Sequence, residues 1–166
     1  MDKATVFAIS AYTILITIAI ALPLNYYFAT IYPMDRAKAY LSAALSTTNL
    51  YEVANYTRKA LGELAPYHGN PCWIAPTVRT DIDDIKKCLE EIITTCVECA
   101  RATHPGTDAY QEALDTARNR IHEVMSRIDN VILWLWYQPL NITLGIAWCL
   151  VAFLIVPYIW HKLSWW

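Results

Sequence analysis

Two uncharged stretches bracket this chain. No Asp, Glu, Lys or Arg occurs from Ala4 through Met34, nor from Asn130 through Trp160. Each stretch exceeds the ~20 apolar residues that cross a bilayer core of ~30 Å. The sequence therefore predicts a transmembrane helix at either end and confines any water-facing domain to the middle. Nearly all the charge lies there: residues 35–129 carry eleven basic and fourteen acidic side chains, a net charge of −3. That balance excludes nucleic acid as a partner, since phosphate binding needs a basic face. No Lys/Arg cluster is dense enough for a polybasic lipid-binding patch. The apolar fraction of 56% and mean hydropathy of +0.26 follow from the two flanks.

The middle is organised around residues 82–135. Ile82, Ile85, Leu89, Ile92, Cys96 and Cys99 recur in alternating steps of three and four. After a Pro105-Gly106 break, Tyr110, Leu114, Ala117, Ile121, Val124, Ile128, Val131 and Leu135 do the same. Two heptad seams joined by a tight turn describe an antiparallel, coiled-coil-like hairpin. Thr80 and Asp108 are the expected N-caps, the latter with Gln111 three residues on. Both helices would be about 35 Å long.

Upstream, Ala37, Tyr40, Leu41, Ala44 and Leu45 share one helical face, and Ser46-Thr47-Thr48-Asn49 interrupts it. Asn49 with Glu52 reads as a capping box. Leu50, Val53, Ala54, Thr57, Leu61 and Leu64 then define another helix, closed by Pro66 and the run 67–71. The alternative is a single first helix of about 30 residues, with residues 66–79 stretched back along it. If the chain turns at 46–49, the 66–79 loop returns to the membrane surface, where Trp73 suits the interface.

The expected fold is thus an all-α integral membrane protein. Two transmembrane helices (1–33 and 131–166) flank an antiparallel helical bundle (34–130) with helices at 34–46, 50–65, 80–102 and 108–130. The second span is expected to continue the last bundle helix, kinked at Pro139, as Pro23 should kink the first. The N-terminal run is too long for a signal-peptide core of about 7–15 residues and lacks an A-x-A cleavage site, so it reads as an anchor. Tyr26, Tyr27 and Tyr32, then Trp134, Trp136 and Tyr137, form aromatic belts at one interface. Trp160, His161, Lys162, Trp165 and Trp166 mark the other. Short tails with Lys3 and His161-Lys162 favour cytoplasmic termini and an extracytoplasmic bundle, in which the Asn55-Tyr56-Thr57 sequon would be at home. The basic residues at Arg36, Lys38, Arg118, Arg120 and Arg127 argue the other way, but charge bias is a weak guide across a loop this long.

Few constellations carry chemistry. Cys96 and Cys99 sit on the seam and read as core packing. A soft metal held by Cys88, Cys96, Cys99 and His104 (or His122) is the alternative. A Cys72–Cys88 disulfide is the most feasible pairing, because a loop can bring Cys72 to the helix start; Cys96–Cys99 would strain its helix. Asp81, Asp83, Asp84, Glu90 and Glu91 lack EF-hand spacing, and acidic residues suit a helix start. With four glycines there is no phosphate loop or dinucleotide fingerprint, and His68, His104 and His122 form no triad. No catalysis and no cofactor are expected.

Inside the apolar stretches, Asn25, Gln138, Asn141 and Thr143 cluster around the two prolines. They serve either interhelical hydrogen bonding or the mouth of a small pore or a quinone or ligand pocket. Thr13, Thr17 and Ala21, and Asn141, Gly145 and Cys149, are small-residue faces that admit another helix. These features point to a non-catalytic protein acting by association. It would be an accessory subunit of a membrane complex or a self-assembling envelope component, with the lipid bilayer and other membrane subunits or its own copies as partners. The alternatives are a homo-oligomeric channel and a sensory receptor. The six residues after Trp160 are too few for a receptor's own output domain.

Overall fold

The computed structural model describes residues 3–164. It is helical throughout, with no strand among the described residues. Helix α1 (Lys3–Tyr26) passes through a π turn (Tyr27–Ile31) into α2 (Tyr32–Ser46). Helices α3 (Leu50–Leu64), α4 (Ile82–Ala102) and α5 (Asp108–Trp136) follow, with a 3-10 turn (Val78–Thr80) before α4. Helix α6 (Pro139–Leu150), a second π turn (Val151–Ile155) and α7 (Val156–Leu163) complete the chain. Two helical runs, Ala4–Ser46 and Pro139–Leu163, are long and apolar enough to cross a membrane. Trp165 and Trp166, expected at an interface, lie outside the described residues.

Both π turns have the same cause. Pro33 and Pro157 are each the second residue of the helix that follows. Proline offers no N–H to the carbonyl four residues back, and its ring collides with that carbonyl. A turn closing over five residues widens the helix just ahead of the proline and removes the conflict.

The chain divides into two compact units, residues 30–136 and the flanking residues 3–29 with 137–164. In the first unit α2 packs on α3, α3 on α4, α4 on α5, and α5 returns against α2. Burial follows the seams. Ile82, Ile85, Leu89, Ile92 and Cys96 of α4 are buried, as is every α5 seam residue from Tyr110 to Leu135. Met34, Ala37, Leu41 and Ala44 of α2 and Leu50, Val53, Ala54, Ala60 and Leu64 of α3 complete this core. Each large aliphatic side chain withdrawn from water contributes roughly 1.5–3 kcal/mol. Buried Thr57 returns its hydroxyl to Val53 O at 2.8 Å, so its own polar group is not stranded.

The chain turns at 47–49, and α5 pins that turn. The Tyr110 hydroxyl accepts from Leu50 N at 2.9 Å and donates to Thr48 O at 3.4 Å. Arg118 donates to Thr47 O at 3.2 Å. Asn49 caps α3 by accepting from Tyr51 N at 2.9 Å, while Glu52 takes the Thr47 hydroxyl at 2.6 Å instead of closing a capping box. The other caps fall one residue from those expected. Asp81, not Thr80, caps α4 by accepting from Asp83 N at 2.9 Å, and Thr107, not Asp108, accepts from Tyr110 N at 3.3 Å.

The expected continuity from α5 into the second apolar helix is absent. Helix α5 runs beyond residue 130 to Trp136, and Gln138 is then extended (φ −61°, ψ 144°). The ring of Pro139 crowds the backbone of the preceding residue and drives it out of the α region. Pro139 therefore starts a helix where a kink was expected.

In the second unit α1 packs on α7. Within the π turn, Val156 N bonds Val151 O and Pro157 has no N–H, so Ala152 O lacks a helical donor. The Tyr12 hydroxyl supplies one at 3.2 Å. Trp148 Nε1 donates to Leu15 O at 3.0 Å, and its ring meets Phe153 edge-on at 6.3 Å.

Candidate functional site

The densest polar cluster lies where the 65–81 loop meets α4 and α5. Arg127 occupies the buried side of α5, one position before the seam residue Ile128, and is only 6% exposed. Its Nη2 donates to Val78 O and to Asp84 Oδ2, both at 2.6 Å. Its Nε reaches Arg79 O at 3.3 Å and its Nη1 reaches Cys88 Sγ at 3.3 Å. Burial alone would depress the guanidinium pKa, but Asp84 and Cys88 outweigh it and hold the pKa above the usual arginine range. The group is a permanent cation that fastens the loop to two helices. Four of its five N–H donors are engaged by the chain itself.

The start of the loop is fixed separately. Asp83 accepts from Gly69 N at 2.9 Å, from Lys86 at 2.8 Å and meets His68 Nδ1 at 3.0 Å. Lys86, the Gly69 N–H and His68, in that order, hold its carboxyl well below the usual range. Lys86 also donates to Tyr67 O at 2.7 Å. Gly69 takes a positive φ of 76°, a conformation open to glycine at little cost. Further on, Asn70 donates to Thr77 O at 2.7 Å and accepts from Cys72 N at 3.0 Å. The three first-turn aspartates thus have separate tasks: Asp81 caps, Asp83 ties the loop and Asp84 pairs with Arg127.

The cysteines are free thiols. The expected Cys72–Cys88 bridge is not formed. Cys72 Sγ turns back to Ala75 O at 3.1 Å within its own bend, whereas Cys88 Sγ faces Arg127. Burial, reinforced by Cys99, pushes the Cys96 thiol up to about 11. It is neutral at physiological pH and packs as a small apolar side chain. His104 lies in the turn after α4, where its carbonyl accepts from Thr107. No group of three His, Cys, Asp or Glu side chains is placed to hold a metal among the described residues.

In the apolar helices the four polar residues are dispersed in their partnerships. Asn141 hydrogen-bonds Tyr26, and Thr143 returns its hydroxyl to Pro139 O at 2.8 Å. Asn25 is exposed and Gln138 half-buried at the break before α6. Thr13, Thr17 and Ala21 are exposed. The two threonine hydroxyls bond Ile9 O and Thr13 O of their own helix, at 2.8 and 2.9 Å. Gly145 and Cys149 line an open apolar groove with Ile142, Ile146, Leu150 and Phe153. Besides Tyr26 and Asn141, Tyr12, Leu15, Trp148 and Ala152 make hydrogen bonds between α1 and the C-terminal run. Sequence reasoning passed over these residues and Arg127. Tyr and Trp inside an uncharged run carry a donor that needs an acceptor away from water, and that was the available signal.

No protein-family model, curated protein or solved structure matches the chain.

Proposed function

We propose that this chain is a two-span membrane protein that acts by association, without catalysis, as an accessory or structural subunit. Its partners are other membrane subunits or further copies of itself. The four helices of residues 30–136 form an extracytoplasmic bundle, and both termini are cytoplasmic. One observation carries the reading: Thr13/Thr17/Ala21 and Gly145/Cys149 face outward, while α1 and the C-terminal run meet through other residues. Small residues let a second backbone approach closely in lipid, where packing rather than water exclusion drives helix pairing. The channel alternative keeps fewer supports. Asn141 and Thr143, two of the four groups for its polar mouth, are engaged within the chain.

Gly145 offers a clean test. A Cβ built there meets nothing of the chain within 4 Å, so the position opens into free space and Gly145→Leu places its bulk where an incoming helix would pack. Gentle extraction from native membranes, native sizing and identification of co-purifying chains should give a discrete particle larger than a monomer. Gly145→Leu should reduce that particle at least several-fold. A monomeric wild-type protein would overturn the proposal. A closed ring of this chain alone that conducts ions in liposomes would replace it with the channel.

A further inference from the structure

We propose that residues 71–79 form a third membrane contact, a loop that seats Trp73, Ile74 and Val78 in the interfacial layer of the bilayer. The inference rests on the reading that the two apolar runs insert. Three observations within the four-helix unit carry it. The first is exposure: Trp73, Ile74 and Val78 are 51%, 65% and 67% exposed, on a segment whose only charge is Arg79.

The second is that this exposure is imposed by the fold. Asn70, Thr80 and Arg127 engage Cys72 N, Thr77 O and Val78 O, so the segment is fastened at both ends while Trp73, Ile74 and Val78 stay exposed. Exposed apolar side chains grouped on one fastened segment mark a surface for a partner or a membrane.

The third is position. Arg36, near the start of α2, bridges Glu63, near the end of α3, at 2.9 Å. Lys38 pairs with Asp129 of α5, and Arg127 holds Val78 and Arg79. The loop therefore hangs from the end of the unit where α2 begins and α5 finishes. Both chain connections to the apolar runs leave from that end. Tyr32 and Trp136, both exposed, stand there as well. Amphipathic aromatic rings favour the headgroup level, and an aliphatic pair beside a tryptophan adds apolar area to bury there. The partner that fits is the lipid surface into which the neighbouring helices run.

The test uses the full chain in phosphatidylcholine liposomes. Subtracting the emission of Trp73→Phe from that of wild type isolates the Trp73 component, and circular dichroism confirms that both proteins fold alike. Brominated lipid should at least halve the Trp73 component, and aqueous acrylamide should leave it nearly unchanged. Quenching by acrylamide but not by brominated lipid would overturn the proposal. So would shielding from both quenchers in native membranes, which would assign the loop to a protein partner. The emission that persists in Trp73→Phe, dominated by the other tryptophans, reports the spans separately. If brominated lipid quenches that emission but not Trp73, the loop proposal fails alone. If it quenches neither, the two-span reading fails and the loop proposal with it.

Discussion

Helix α5 buries a residue at every step of its seam, whereas among the described side chains of α1, nearly as long, only Ala4 is buried, and α6 buries none. The difference comes from contrast. Charged residues cover the other faces of α4 and α5, so their apolar stripes have one place to go and withdraw together from water. All faces of α1 and α6 are apolar, and period says nothing about which should pack. Directional contacts mark where those helices meet: Tyr12 to Ala152 O, Trp148 to Leu15 O, and Tyr26 with Asn141. One unit is held by area, while in the other Tyr and Trp donors find backbone acceptors away from water.

The largest test of this contrast is a pair of truncations. Leu89→Ala, in the centre of the core, should lower stability by about 3 kcal/mol, within the range for large-to-small core changes. Ile16→Ala, at a side chain 57% exposed, should change it by less than about 0.5 kcal/mol. Denaturation of the full chain in micelles, followed by helical signal, measures both. Equal losses would break the comparison, because α1 would then be packed as tightly as α4.

Next in size is the polar exception inside the area-driven unit. Arg127→Met keeps the aliphatic bulk but leaves Asp84 and the carbonyls of Val78 and Arg79 without their donor. Stranding such groups should cost about 2–3 kcal/mol, and limited proteolysis should then cut first within residues 71–79. An unchanged cleavage pattern would mean the loop is held by its own bends alone.

The smallest effect is a pH dependence. Asp83 keeps its charge in the fold to lower pH than in the unfolded chain, where an aspartate titrates near about 3.9. Its stabilisation is whole above that pH and is lost as pH falls below it toward the depressed folded value. Stability measured between pH 6 and pH 2 should fall less steeply in Asp83→Asn. The site is exposed, so the change in slope should be small and should shrink with added salt.

The seams of α4 and α5 were legible because period-3.5 patterning and burial are the same fact seen twice. The 47–49 turn was legible from its cluster of polar, turn-forming side chains. Arg127 was not, because an arginine beside a seam looks like a solvated charge until a loop from elsewhere in the chain brings it carbonyls. The bridge between Cys72 and Cys88 is feasible from loop reach alone, and reach ignores the closer partners each sulfur finds, an acceptor for Cys72 and a donor for Cys88. Pro139 was read as a kink when its real effect is on Gln138. Pro33 and Pro157 went unnoticed because the helices continue past them, with the adjustment hidden in a widened turn.

That widened turn has an angular consequence. An α-helix advances about 100° per residue, so positions eight apart drift by about 80° around its axis. The Val151–Ile155 turn absorbs one extra residue, and the drift from Trp148 to Val156 becomes about 20° in the opposite sense. Trp148, Ala152 and Val156, spaced by four, are thereby kept in one azimuthal line. Trp148 and Ala152 bond α1 from it and Val156 is buried. The heading of an indole is set by a missing N–H nine residues downstream.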